Sequence, residues 1–162
     1  MARSAVRTKY GPVCGVASRD GSVISYRGVP FACPPTGKLR FAPPRPPVPW
    51  EENLVCDGYR PACVQPVRKS HDGSVPKRCF TSEDCLYLNI WAPAKAGEKK
   101  LPVMMWIYGG GFTTGRAAAP ELDGTAFAQR GVILVTCTYR CGPLGFLALP
   151  ELARKGGADG RR

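Results

Sequence analysis

Three consecutive glycines follow an apolar run at Tyr108-Gly109-Gly110-Gly111-Phe112. Without side chains to shield them, successive backbone N–H groups lie open, and such donors bind a phosphate or a developing oxyanion. The phosphate readings fail on spacing. A P-loop needs Gly, four residues, then Gly-Lys-Ser/Thr, whereas Gly115, five residues after Gly110, is followed by Arg116-Ala117. A dinucleotide fingerprint from Gly109 and Gly111 needs a third glycine where Thr114 stands. An anion-stabilising loop and a plain tight turn both remain open at this point.

A second set of reactive types is Thr81-Ser-Glu-Asp-Cys85, leading into Leu86-Tyr-Leu-Asn-Ile-Trp91. Paired carboxylates can serve acid–base chemistry. Adjacent acids at the start of a strand more often hold a salt bridge, and that reading is preferred for Glu83 and Asp84. Eight cysteines stand at 14, 33, 56, 63, 79, 85, 137 and 141, with no Cys-x-x-Cys pair, and His71 is the only histidine. A zinc site would need mostly thiolates at irregular spacing, so no metal or other cofactor is expected. The even count suits disulfides. The start, Met1 to Tyr10, has no apolar core of the kind a secretory leader carries. A cytoplasmic, reducing location is therefore expected.

The elements that must position these groups are legible in outline. Residues 12–18 and 22–27 suit a β-hairpin around Arg19-Asp20-Gly21. Residues 34–49 are too rich in proline for regular helix or sheet. They read as a loop laid over the domain rather than a polyproline ligand, because strand-like segments flank them. Leu86–Trp91 alternates as a strand does. Val103–Tyr108 and Val132–Thr138 are continuous apolar runs, which suit strands buried on both faces. A short helix is expected over Asp123–Arg130, with Asp123 or Thr125 near its N-cap. Strand, helix, strand at this spacing argues a parallel βαβ unit and an α/β fold.

The formal charge is +11, from 23 Lys+Arg against 12 Asp+Glu. The basic residues are scattered, except from Arg154-Lys155 to Arg161-Arg162, and no nucleic-acid motif accompanies them. A nucleic-acid partner is not expected. No run of ~18 apolar residues is present, so no membrane span is expected.

Five segments in order resemble the type-B carboxylesterase family. They are Tyr26-Arg-Gly-Val-Pro-Phe-Ala32, Leu39-Arg-Phe41, Ser82-Glu-Asp-Cys-Leu-Tyr-Leu-Asn-Ile-Trp91, Trp106-Ile-Tyr-Gly-Gly-Gly-Phe112 and Tyr139-Arg-Cys-Gly-Pro-Leu-Gly-Phe-Leu147. The resemblance implies an α/β-hydrolase fold, here an N-terminal part with an incomplete, mixed, mostly parallel sheet. It implies a partial domain over 1–154 and a disordered basic tail over 155–162. It also implies a serine nucleophile acting through an acyl-enzyme on a small-molecule carboxylic ester. Gly110 and Gly111 are then the oxyanion-hole donors. Cys63 and Cys85 resemble a family disulfide pair, whose bridge across about 22 residues adds roughly 3 kcal/mol in the chain-entropy model. Cys14 and Cys33 pair with neither. Arg40 and Glu83 resemble a structural salt bridge, and full burial would make breaking it cost roughly 3–5 kcal/mol.

The family's cholinesterases carry a choline-binding tryptophan within the segment matching residues 64–84, which contains none here. No Gly-x-Ser-x-Gly occurs, and His71 precedes the glycine loop, against the chain order Ser, acid, His. The expectation is a chain that lacks the triad, is inactive alone and loses the cover of its strands, leaving 132–135 near an exposed sheet edge. A missing C-terminal half as partner, a split esterase, or a non-catalytic binding module that reuses the fold are the readings carried forward.

Overall fold

A computed structural model describes residues 3–66, 80–95 and 100–156. In chain order the strands are β1 (Arg3–Arg7), β2 (Pro12–Ala17), β3 (Val23–Pro30), β4 (Leu54–Val55), β5 (Ala62–Cys63), β6 (Thr81–Ser82), β7 (Tyr87–Pro93), β8 (Val103–Trp106) and β9 (Ile133–Cys137). Three helices, α1 (Thr125–Gln129), α2 (Pro143–Phe146) and α3 (Pro150–Gly156), lie in the last quarter. The main sheet runs β1-β2-β3-β7-β9-β8, with β4 beside β2, while β5 and β6 form a separate parallel pair.

The sheet is mixed, but its described pairings are mostly antiparallel rather than mostly parallel. Only β8–β9 and β2–β4 run parallel in it. The reason is local. Short turns join β1 to β2 and β2 to β3, and short turns make antiparallel neighbours. Among the described residues only the β8-α1-β9 crossover has a helix to carry the chain back, and there the parallel pairing sets Met104 opposite Leu134.

The expected hairpin forms between β2 and β3. Its turn is organised by Asp20, whose carboxylate accepts from the Ser18 hydroxyl (2.6 Å), the Ser22 hydroxyl (2.8 Å) and the Ser22 amide (3.1 Å). These donors hold the Asp20 carboxyl well below the usual carboxylate range. Gln129 at the end of α1 also reaches Asp20 (3.3 Å), tying helix to hairpin.

Trp91 on β7 is 1% exposed and packs with Val23, Ala128 and Leu134. Helix α1 therefore covers one face of β3, β7 and β9. At the start of α1 the Thr125 amide donates to Asp123 Oδ1 (2.9 Å), while Gly124 takes the cap position. Strand β8 lies beyond that cover. Val103, Met104, Met105 and Trp106 are 63%, 46%, 54% and 47% exposed. The run read as buried on both faces is thus the open edge, and β9, which contains 133–135, lies inside the sheet between β7 and β8. Its alternating burial, with Leu134 and Thr136 inside, follows from that place. At the other end, α3 continues through Lys155 and Gly156.

A buried polar knot joins the sheet to the loop after β8. Asn89 on β7 is 3% exposed. Its amide donates to Thr136 Oγ1 (3.0 Å) and the Ala117 carbonyl (3.3 Å), and its oxygen accepts from the Gly28 amide (3.1 Å). Gly28, at φ 83°, sits in the bulge between Arg27 and Val29 that lets its N–H turn toward Asn89. Replacing Asn89 by Leu leaves the Gly28 amide buried without an acceptor. Asn89→Leu is expected to cost about 1–3 kcal/mol, read as a lower urea midpoint with an unchanged slope.

Candidate functional site

The glycine loop leaves the end of β8, and its first anchor is aromatic. Tyr108 and Tyr139 stack with ring centroids 4.3 Å apart and 12° between planes. They also exchange hydrogen bonds. The Tyr108 hydroxyl donates to the Tyr139 carbonyl (3.0 Å), and the Tyr139 hydroxyl donates to the Tyr108 carbonyl (2.8 Å). Tyr108 is 6% exposed, and burial pushes its phenol far up, so it stays a neutral donor. The far side is held twice more. The Gly142 amide donates to the Phe112 carbonyl (2.7 Å). Gln65 clasps Gly115, with its amide donating to the Gly115 carbonyl (2.7 Å) and its oxygen accepting the Gly115 amide (2.7 Å).

Between these anchors the chain curls tightly. The Gly110 carbonyl accepts from the amides of Thr113 and Thr114 (both 3.2 Å) and from the Thr113 hydroxyl (3.0 Å). Gly110 sits at φ 134°, and a Cβ there would meet the Thr114 carbonyl oxygen at 2.0 Å. Gly111 at φ 60° has open space around it. Phe112 holds a left-handed φ of 60° that non-glycine residues rarely adopt, strain of about 1–3 kcal/mol of the kind stored at functional loops. The amides of Gly110 and Gly111 have no acceptor among the described residues, and both glycines are exposed. Two free, fixed, adjacent N–H groups are what a developing oxyanion requires.

The other residues singled out from the sequence are placed as follows. Arg40 meets Glu83 through a two-pronged ion pair, Nε to Oε2 at 2.6 Å and Nη2 to Oε1 at 2.7 Å. The side chains are 44% and 26% exposed, so the cost attached to full burial does not apply and solvent screens the pair. It ties the proline-rich segment to the strand entry at Glu83. That segment has only the 3-10 turn Gly37–Leu39 as regular structure, and Arg140 holds it from below by donating to the Ala42 carbonyl (2.8 Å). Asp84 accepts from the Tyr87 hydroxyl (2.8 Å), so neither acid is free for catalysis. His71 lies outside the described residues, as does Cys79.

Cys63 and Cys85 are free thiols, both fully buried in one core cluster. Cys14 packs elsewhere with Val13, Tyr26 and Cys56, and the Cys33 thiol donates to the Pro46 carbonyl (2.9 Å). The sequence reading missed Gln65 and Asn89. Neither carries a local signal, because each works through partners at least 28 residues away at the glycine loop, Gly115 for Gln65 and Ala117 for Asn89.

Residues 2–157 match the model of the carboxylesterase family. The chain is 48% identical to the fumonisin B1 esterase of Sphingopyxis macrogoltabida over 148 residues, covering 91% of this chain and 26% of that protein. It is 42% identical to the para-nitrobenzyl esterase of Bacillus subtilis over 152 residues, covering 92% of this chain and 30% of that protein. The crystal structure of a Geobacillus stearothermophilus carboxylesterase superposes with a TM-score of 0.80 at 38% identity, covering 98% of this chain and 30% of that one. The chain therefore spans about three tenths or less of the relatives it matches.

Two expectations follow from this geometry. Gly110→Ala must displace Thr114 and is expected to cost more than about 1 kcal/mol, and more than Gly111→Ala, as thermal unfolding midpoints would show. Arg40→Ala is expected to lower the midpoint in dilute buffer and to lower it less in high salt, where exposed pairs are screened; an equal loss in both would contradict a solvent-screened pair.

Proposed function

The chain belongs to the carboxylesterase family, and from that premise we propose that it supplies the oxyanion-binding portion of a carboxylic ester hydrolase acting through a serine nucleophile. The observation that carries this is the pair of unpartnered amides at Gly110 and Gly111, held rigid at the end of β8. When a nucleophile adds to an ester carbonyl, charge gathers on the oxygen. Donors already aimed at that place need no reorganisation, and one such donor is worth about 10²–10³ in kcat.

The nucleophile, acid and histidine are not supplied by a motif in these 162 residues, since no Gly-x-Ser-x-Gly occurs among them. A serine without a positioned base is a poor nucleophile. On this reading the loop acts only when a serine elbow, with the third donor that follows it, is brought against β8. The substrate is a small-molecule carboxylic ester. Phe112 and Phe146, 64% and 49% exposed with ring centroids 4.8 Å apart, give an apolar flank on which the body of such an ester can rest.

The 162-residue chain is expected to take no label from a fluorophosphonate probe. A chimera in which it replaces the matching segment of the Bacillus subtilis para-nitrobenzyl esterase is expected to label at one serine and to cleave a nitrophenyl ester. In that chimera Gly110→Ala should lower kcat by about 10²–10³ with little change in KM. Stoichiometric labelling of the chain alone, or a folded chimera indifferent to Gly110, would overturn the reading.

A further inference from the structure

Behind the glycine loop three thiols meet in one core cluster. Cys63, Cys85 and Cys141 each have no exposed surface, and they pack with Ala32, Leu86, Tyr108 and Ala117. They come from three distant places: β5, the segment before β7, and the turn after β9. Cys63 is the common neighbour. It is buried in the same cluster as Cys85. The Cys141 amide donates to Cys63 Sγ at 3.1 Å. Among the described residues no group of three His, Cys, Asp or Glu is arranged to hold a metal ion.

We propose that Cys63 is a shared disulfide partner, able to bridge to Cys85 or to Cys141, with Cys141 as the resolving thiol that exchanges one bridge for the other inside the core. The resemblance that pairs Cys63 with Cys85 leaves Cys141 without a role, and the structure gives it one. The electrostatics agree with the geometry. The neighbouring Cys85 side chain, with the Cys141 amide and the Arg140 charge behind it, draws the Cys63 thiol down to about 7, while the Cys85 thiol is pushed up. In the closed cluster Cys63 is thus the most acidic of the three thiols.

The chemistry balances in two stages. A low-molecular-weight disulfide such as oxidised glutathione is attacked by the Cys63 thiolate, which forms a mixed disulfide and releases one small thiolate. The Cys85 thiolate then attacks Cys63 Sγ and releases the second. The protein has lost two electrons and two protons, and the small disulfide has been reduced to two thiols. In the second stage the Cys141 thiolate attacks Cys63 Sγ. The Cys63–Cys141 bond forms, the Cys63–Cys85 bond breaks, and the proton lost by Cys141 returns to Cys85. This stage is redox-neutral and needs no reagent, which suits sulfurs sealed from solvent. The first stage takes place as the chain folds, while the thiols are still accessible.

The exchange has a route to the glycine loop. The Cys141 thiol lies 3.5 Å from the Tyr108 hydroxyl and 3.6 Å from the Tyr139 carbonyl, and the next amide, Gly142, holds the Phe112 carbonyl. Bridging Cys141 to Cys63 draws it from the Tyr108 side of the cluster.

The test refolds the full reduced chain in a glutathione redox buffer, quenches with acid, blocks free thiols and maps disulfides by peptide mass spectrometry on the soluble monomer. Wild type is expected to hold both Cys63–Cys85 and Cys63–Cys141 bridges, in a ratio that is the same whether approached from reduced or from oxidised protein. Cys85→Ser should shift Cys63 wholly onto Cys141, and Cys141→Ser wholly onto Cys85. Wild type with Cys63 bridged only to Cys85, bridged to any other cysteine, or left free overturns the proposal, and this reading holds even where the Cys85→Ser variant does not fold.

Discussion

The reciprocal embrace of Tyr108 and Tyr139 is the constraint on which the site depends. Each hydroxyl closes on the other's main-chain carbonyl, and the two rings stack. A phenol buried in this way satisfies its polar atom while filling the core, so the arrangement is both packing and positioning. It joins the end of β8 to the end of β9, the one parallel pair that the βαβ crossover makes. The glycine loop therefore starts from a fixed point, and its exposed amides inherit a fixed direction.

What surrounds that embrace is mostly polar bonding over long sequence distance. Gln65, just after β5, holds Gly115, and Asn89 with Thr136 holds the Ala117 carbonyl from the sheet. Such side chains replace regular backbone pairing where the chain cannot form it, because a glycine-rich loop has no ladder of its own. Their burial makes them specific, since a displaced loop would leave several groups without partners. The surface ion pair of Arg40 and Glu83 works differently. It locates the proline-rich segment over the strand entry, and its exposure keeps it adjustable.

The two sides of the molecule are unequal. The β3, β7 and β9 region has Trp91 and α1 as a closed core, whereas β8, Ile107 and Phe112 present apolar side chains outward, with Ile107 64% exposed. An open edge with apolar residues is a template for another strand. That edge is also where the free amides of Gly110 and Gly111 stand, so whatever pairs with β8 arrives beside the proposed oxyanion site. In the relatives, of which this chain spans three tenths or less, there is ample further sequence to do so.

The sequence by itself determined the local elements and the family. The Asp20 turn, the alternating strand read over Leu86–Trp91, the short helix after Asp123 and the glycine triplet are each written in neighbouring residues, where turn chemistry and period decide the outcome. The Arg40–Glu83 contact came from resemblance and not from spacing, since 43 residues separate them. Only the tertiary structure decided which strand is central. Hydrophobic runs at 103–108 and 132–138 are alike in sequence, yet β9 is paired on both sides and β8 on one, because sheet order is a long-range property. Tertiary structure alone also brought Cys141 to Cys63, and Gln65 to Gly115. Their spacing in the chain is arbitrary, and no local preference encodes a contact whose energy appears only when the core closes.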